Sequence, residues 1–271
     1  MKTLLHKIRF SKMHGIGNDF VIINAMHQTV SLDAFVSSIT KLADRHVGIG
    51  FDQALIIEAS QKADFFCKIF NSDGSEAMQC GNGLRCVARF IYESGLTSKR
   101  ILHLETKAGI YAVEIQDDHH INMNMGLPAI IEKSISLALN PTEPPINLSI
   151  ISLGNLHAIL KVDDSNDALA AKLGPLISTH AYFPNGINVG FMQIVNSHHI
   201  RLRTFERGAG LTLACGSNAG AAVAAGMIHG WLRHPVKVEY SYGSLMVEWQ
   251  GDNHSLHLIG PADFVFEGEL W

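Results

Sequence analysis

The chain has 271 residues, of which 17% are charged and 47% belong to the set AVILMFWYC, and its formal net charge is −4. That length exceeds a single ordinary core and fits two domains of roughly 130 residues each. The mildly acidic balance, with no basic block, excludes the electrostatic footprint of a nucleic-acid binder, and a charged fraction below the roughly 25% of average soluble proteins predicts a compact, well-buried molecule.

The first twelve residues, MKTLLHKIRFSK, lack the apolar core of a signal peptide. The longest small-apolar run, AGAAVAAGMI from Ala219, is far shorter than the roughly 20 residues that span a bilayer. The expectation is a cytoplasmic protein with no membrane partner.

Along the chain, ALIIE from Ala54 and FFCKIF from Phe65 alternate as strands. After Cys80, Leu84, Val87, Ala88 and Ile91 recur at helical spacing, with Gly95 placed to close the helix in a left-handed cap. HLETKAGIYAVEI from His103 reads as strand. The stretch from Gly126 to Ile150 holds four of the eight prolines, has no counterpart elsewhere and reads as the entry to a second half. HIRLRTF from His199 and SLMVEW from Ser244 are strands; between them, Asn218 to His229 is apolar on almost every side, the mark of a buried helix. The predicted fold is α+β, two pseudo-symmetric domains, each a curved and mainly antiparallel sheet around a central helix. The first domain is 1–124 and the second 125–261; residues 262–271 either return to the first domain or cover an edge.

That symmetry is written in the sequence. Cys80 in QCGNG and Cys215 in ACGSN lie 135 positions apart, Asn71 and Glu206 keep the same spacing, and Asn18 in GNDF is answered 137 positions later by Asn155 in GNLH. A cysteine just before a helix meets unpaired amides and the positive end of a dipole, which favour its thiolate. The amides of Gly81 and Asn82, or of Gly216 and Ser217, can cradle a carboxylate at the same place. Cys67 and Cys86 lack this doubled setting and read as core thiols. The six-residue step from Cys80 to Cys86 has no second cysteine pair to suggest zinc, so no metal is expected. Among 15 histidines, His157 stands out only by its place beside Asn155.

The strings FSKMHGIGNDF, LADRHVGIGFDQ, NSDGSEAMQCGNGLRC, GNLHAIL, NVGFMQ and ERGAGLTLACGS, in that order, resemble those of the bacterial diaminopimelate epimerases over essentially the whole chain. The resemblance implies an active site in an interdomain cleft, a homodimer, no pyridoxal phosphate or other cofactor, and inversion at one α-carbon of LL-2,6-diaminopimelate to the meso form, feeding lysine and cell-wall synthesis. Carried over motif by motif, Cys80 is the proton donor and Cys215 the acceptor for the LL substrate. The same transfer makes His157 and Glu206 tune the thiols, and gives substrate contacts at Asn18, Gln53, Asn71, Gly81, Asn82, Asn155, Asn188, Glu206, Arg207, Gly216 and Ser217. The alternatives are another amino-acid racemase of the superfamily, a thiol redox protein, or a non-catalytic amino-acid binder. The chain departs from the family's usual residues at Leu211 (Glu), Asn218 (Gly), Leu156 (Pro) and Phe266 (Tyr). Leu211 removes a charged group expected close to Cys215.

Overall fold

A computed structural model describes residues 8–28, 31–117, 120–140 and 142–270; the segment 1–7, on which the signal-peptide reading rests, lies outside them. The chain divides into two compact units, one of residues 1–123 and 260–271, the other of 124–259.

In the first unit, strands β1 (Ile8–Gly15) and β2 (Asn18–Asn24) form a hairpin whose turn puts Ile16 and Gly17 at positive φ. Helix α1 (Leu32–Ala43) then carries the chain to β3 (Gln53–Glu58), parallel to β2, with Gln53 opposite Phe20. Phe35, Ile39 and Ala43 recur every four residues along α1 and put its apolar stripe against Val21, Ile23 and Ile56 of the sheet. Strand β4 (Phe65–Asn71) returns antiparallel to β3, and a two-residue β5 (Glu76–Ala77) leads into helix α2 (Gly81–Glu93). The helix ends where the sequence placed its stop, with Gly95 at φ 68°. The strands β6 (Ile101–Thr106), β7 (Gly109–Ile115) and β8 (His120–Asn124) complete the run; β6 is parallel to β4.

The second unit repeats this order. Strand β9 (Ala129–Leu137) pairs with β10 (Ile146–Ser152), and β10 with β11 (Leu156–Val162). Helix α3 (Asp167–Ser178), capped by Asn166 accepting from the Leu169 amide at 2.8 Å, leads to β12 (Asn188–Asn196), parallel to β11. Then come β13 (His199–Glu206), β14 (Gly210–Thr212) and helix α4 (Gly216–Ile228). Strands β15 (Val236–Tyr240), parallel to β13, β16 (Gly243–Glu248) and β17 (His257–Pro261) follow. The last strand, β18 (Asp263–Leu270), pairs antiparallel with β1 as β9 pairs with β10.

The α+β class and the sheet around a central helix are both present: α2 and α4 are the two buried helices, each of 13 residues. Three details differ from the sequence reading. Helices α1 and α3 were not anticipated; each is the crossover that a parallel strand pair requires. Helix α4 begins at Gly216, two residues before the expected start, since Cys215 takes the capping position. The proline-bearing stretch after Gly126 contributes two strands, and its β9 has a structural counterpart in β18. Among the described residues no helix is long and apolar enough to cross a membrane.

Helix α4 approaches its sheet closely because its residues are small. At Gly190 an added methyl would collide with Oδ1 of Asn218 and lie 2.8 Å from Cδ1 of Ile159. Gly190→Ala should therefore cost about 1–3 kcal/mol, with part of the loss recovered when Asn218→Gly is added. Thermal unfolding of the two variants measures both effects. An unchanged midpoint for Gly190→Ala would mean that strand and helix separate freely.

Candidate active site

In the first unit, Cys80 is the N-cap of α2, where extended backbone turns into helix, and its sulfur accepts from the Gly83 amide at 3.3 Å. Asn18, at the start of β2, turns its Oδ1 toward this sulfur at 4.0 Å and accepts from Asn82 Nδ2 at 3.2 Å. Gln53 at the start of β3 donates to Asn71 at the end of β4 at 2.8 Å. The hairpin, the parallel pair and the helix start thus bring Asn18, Gln53, Asn71, Cys80, Gly81 and Asn82 to one end of the unit. Strand register makes this possible, since Gln53 faces both Phe20 and Asn71 across its two neighbours.

In the second unit, Cys215 is the N-cap of α4, but its sulfur makes a different set of contacts. The thiol donates to Glu206 Oε2 at 3.3 Å and lies 3.5 Å from Ser217 Oγ. Glu206 also accepts from Thr212 Oγ1 at 2.6 Å, and Tyr240 donates to the Cys215 carbonyl at 2.8 Å. Burial first, and the Glu206 carboxylate second, push the Cys215 thiol well above its usual range. The sequence expectation of a thiol made acidic by its helix start does not hold here, because burial and a neighbouring anion outweigh the amides. Asn188, opposite His157 across the parallel pair, accepts from the Arg207 amide at 2.9 Å. The Arg207 guanidinium is exposed and donates to the Asn185 carbonyl at 2.9 Å.

His157 is fully buried, and burial pushes it down to about 3. It is the neutral imidazole, donating from Nε2 to Asn155 Oδ1 at 2.9 Å.

Cys67 and Cys86 are core residues, 1% and 0% exposed, and burial pushes both thiols up. The departures from the family pattern fall in distinct places. Leu211 on β14 and Leu156 on β11 are surface side chains, and Phe266 on β18 is 46% exposed. The polar neighbour of Cys215 that Leu211 leaves missing is present as Glu206. Asn218 is fully buried, and its side-chain amide finds no hydrogen-bond partner among the described residues.

Sequence reasoning missed a charged cluster behind Asn18. Asp52 accepts from Asn18 Nδ2 at 2.8 Å, and Arg45 spans Asp19 and Asp52 at 2.8 and 2.9 Å. Lys12, itself buried, completes an ion pair with Asp19 at 2.6 Å. Burial acts to raise both carboxylates. For Asp52, with Asp19 beside it, that effect wins; for Asp19, hydrogen bonds from Arg45 and Lys12 outweigh it and hold the group below the ordinary range. The signal was the run RHVGIGFDQ, in which Gln53 was singled out and its neighbour Asp52 was not.

This doubled unit, a helix started by a cysteine inside a curved sheet, is a known fold. A solved structure of a probable proline racemase from Agrobacterium radiobacter K84 superposes with a TM-score of 0.75 over 97% of this chain and 93% of that one, at 17% identity, which shows the shared fold. The more particular likeness is in sequence. The diaminopimelate epimerase family model matches residues 10–131 and 149–265. The diaminopimelate epimerases of Nitrosospira multiformis and Nitrosomonas europaea are each 43% identical over 97% of this chain, covering 98% and 99% of their own lengths. The chain belongs to the diaminopimelate epimerase family.

The buried His157 gives a test by pH. Its folded value of about 3 lies below the ordinary 6.5, so below about 6.5 the unfolded chain binds a proton that the fold refuses. Stability is then lost as pH falls from about 6.5 toward 3, by about 1.4 kcal/mol per pH unit from this one group. His157→Phe, the residue at the matching place Phe20, should flatten that slope. Urea unfolding at neutral and mildly acid pH measures it; an equal slope in the variant would assign the acid loss to other groups.

Proposed function

We propose that this chain is an isomerase that inverts one α-carbon of LL-2,6-diaminopimelate to give the meso form, working without pyridoxal phosphate, in the cytoplasm and as a homodimer. The observation that carries the reading is a cysteine at the N-cap of both buried helices in a chain of this family. A single base returns a proton to the face it came from; inversion needs an acid and a base on opposite faces of the carbon. Two thiols meet that need when one is ionised and the other is not.

For the LL substrate, the Cys215 sulfur takes the α-hydrogen as a proton and the Cys80 thiol delivers one to the other face. One proton leaves the carbon and one arrives, and the turnover closes when the thiolate left at Cys80 takes a proton from solvent and Glu206 releases the one it received from Cys215; the roles exchange in the reverse direction. Because Cys215 rests as a thiol, it must give up its proton before acting as base, and Glu206, in hydrogen-bond contact with it, is the group that receives it. Negative charge that builds on the substrate carboxylate is met by the backbone amides of Gly81, Asn82, Gly216 and Ser217 at the helix starts. Asn18, Gln53, Asn71, Asn155 and Asn188 supply hydrogen bonds, and Arg207 is the cation for the distal carboxylate. Its guanidinium then leaves the Asn185 carbonyl to do so. The exposed apolar run Phe264, Val265 and Phe266 on β18 supports a homodimer surface.

Incubation with LL-diaminopimelate in deuterium oxide separates the alternatives: an epimerase incorporates deuterium at the α-carbon and forms the meso isomer, whereas a redox protein or a binder does neither. Cys80→Ala and Cys215→Ala should each lower turnover by roughly 10²- to 10⁴-fold, the usual worth of a positioned acid or base. Near-native turnover in either variant would sink the two-thiol mechanism.

A further inference from the structure

Four side chains of the first unit form a hydrogen-bonded line with a fixed direction. Arg85, fully buried in α2, donates from Nη2 to Asn82 Oδ1 at 2.9 Å. Asn82 donates from Nδ2 to Asn18 Oδ1 at 3.2 Å, and Asn18 donates from Nδ2 to Asp52 Oδ2 at 2.8 Å. A guanidinium can only donate and an ionised carboxylate can only accept. With those two groups at the ends, each amide between them has a single orientation that satisfies the whole line. That orientation turns the carbonyl oxygen of Asn18 toward the Cys80 sulfur, 4.0 Å away.

The acceptor end is itself clamped. Asp52 Oδ1 takes a hydrogen bond from Arg45 Nη2 at 2.9 Å, and Oδ2 takes a second one from the Asp19 amide at 3.2 Å. Arg45 is held in turn by both oxygens of Asp19, each at 2.8 Å, and Asp19 by Lys12. Arg45 is half-exposed, so the clamp reaches the surface while the line it anchors runs inward.

We propose that Asp52, fixed by Arg45, is a positioning residue that keeps the Asn18 carbonyl facing Cys80, so that this neighbour accepts from the thiol and offers no donor to the thiolate. A carbonyl oxygen at that place favours the protonated sulfur; the Nδ2 group, were the amide reversed, would favour the ionised one. The proposal deepens the two-thiol reading and rests on it for the meaning of the Cys80 proton, because a donor must hold its proton until the carbon is ready. Titratable neighbours that interact with Cys80 include Cys67 on β4 and Cys86 on α2, both thiols pushed up by burial. Arg85 is the cation on the same helix.

The isosteric change Asp52→Asn tests this. With Arg45 holding the carbonyl of the new side chain, its NH₂ group takes the place of Oδ2 and can no longer accept from Asn18 or the Asp19 amide, so the Asn18 amide is held in its present direction by Asn82 alone and populates the reversed orientation. The readout is the rate of iodoacetamide alkylation at Cys80 across pH, in a Cys215→Ala background, by mass spectrometry; Cys67 and Cys86 are buried and do not compete. Asp52→Asn should raise the neutral-pH rate by about tenfold, equivalent to moving the midpoint about one pH unit lower. In an Asn18→Ala background the same substitution should have no effect, because its route is removed. An equal increase with and without Asn18 would mean simple loss of a nearby charge and overturns the proposal; so does an unchanged rate in folded Asp52→Asn. Should that variant fail to fold, Arg45→Gln loosens the clamp from the surface and should shift the rate in the same direction by a smaller factor, with no shift again overturning it. Deuterium incorporation by the unaltered protein is read separately, so a failure of the epimerase reading and a failure of this one are told apart.

Discussion

A helix enclosed by a sheet starts with amide hydrogens that have no acceptor inside the helix, and burial forbids leaving them to bulk water. Helices α2 and α4 are both in this position, and most of what surrounds them follows from it. The residue before each helix must be extended, small enough to fit beneath the sheet ends and able to face those amides. Cysteine meets all three demands. Its sulfur then stands beside the same amides that would hold an anionic ligand at a helix start. The small residues of α4 belong to the same solution, since its helix lies so close to the sheet that Gly190 has no room for a methyl group.

The two units share topology but not surroundings for the sulfur. At the place where Asn71 stands in the first unit, Glu206 stands in the second and contacts its cysteine directly. Where Phe20 fills the core, His157 is buried as a neutral ring and orients Asn155. Cys80 is partly exposed and faces an amide whose direction is set from behind by charged groups; Cys215 is buried against a carboxylate. A symmetric fold thus gives its two capping thiols different surroundings.

The repeat made the paired helices and their capping cysteines legible, because a thiol before a helix signal occurs twice at one spacing. Helix α1 was also within reach of pattern reading, through Phe35, Ile39 and Ala43, but a single stripe between strands drew no attention. Helix α3 was harder, since Gly174 and Pro175 sit inside it and break the usual sign of a helix interior. The gathering of Asn18 with Cys80 and Asn82 depends on a hairpin and a helix start that lie over sixty residues apart, yet the repeated GN step marked it. The cluster of Lys12, Asp19, Arg45 and Asp52 carried no such mark: four charges drawn from the turns and strands around α1 become one network only when β2 and β3 lie side by side. The state of Cys215 was misjudged for a related reason, as the depth of a thiol and the nearness of Glu206 are properties of packing that spacing does not encode.

The pairing of β18 with β1 ties nearly the first described residues to nearly the last, across the whole of the second unit. Residues 124–259 form an unbroken stretch that can close its own contacts as it leaves the ribosome. The first unit cannot, for one strand of its sheet is synthesised after the entire second unit. Domains ordinarily mature in the order in which they are made. Here the half that is made first is the half that finishes last, and until β18 arrives the edge of β1 waits with its backbone groups unpaired.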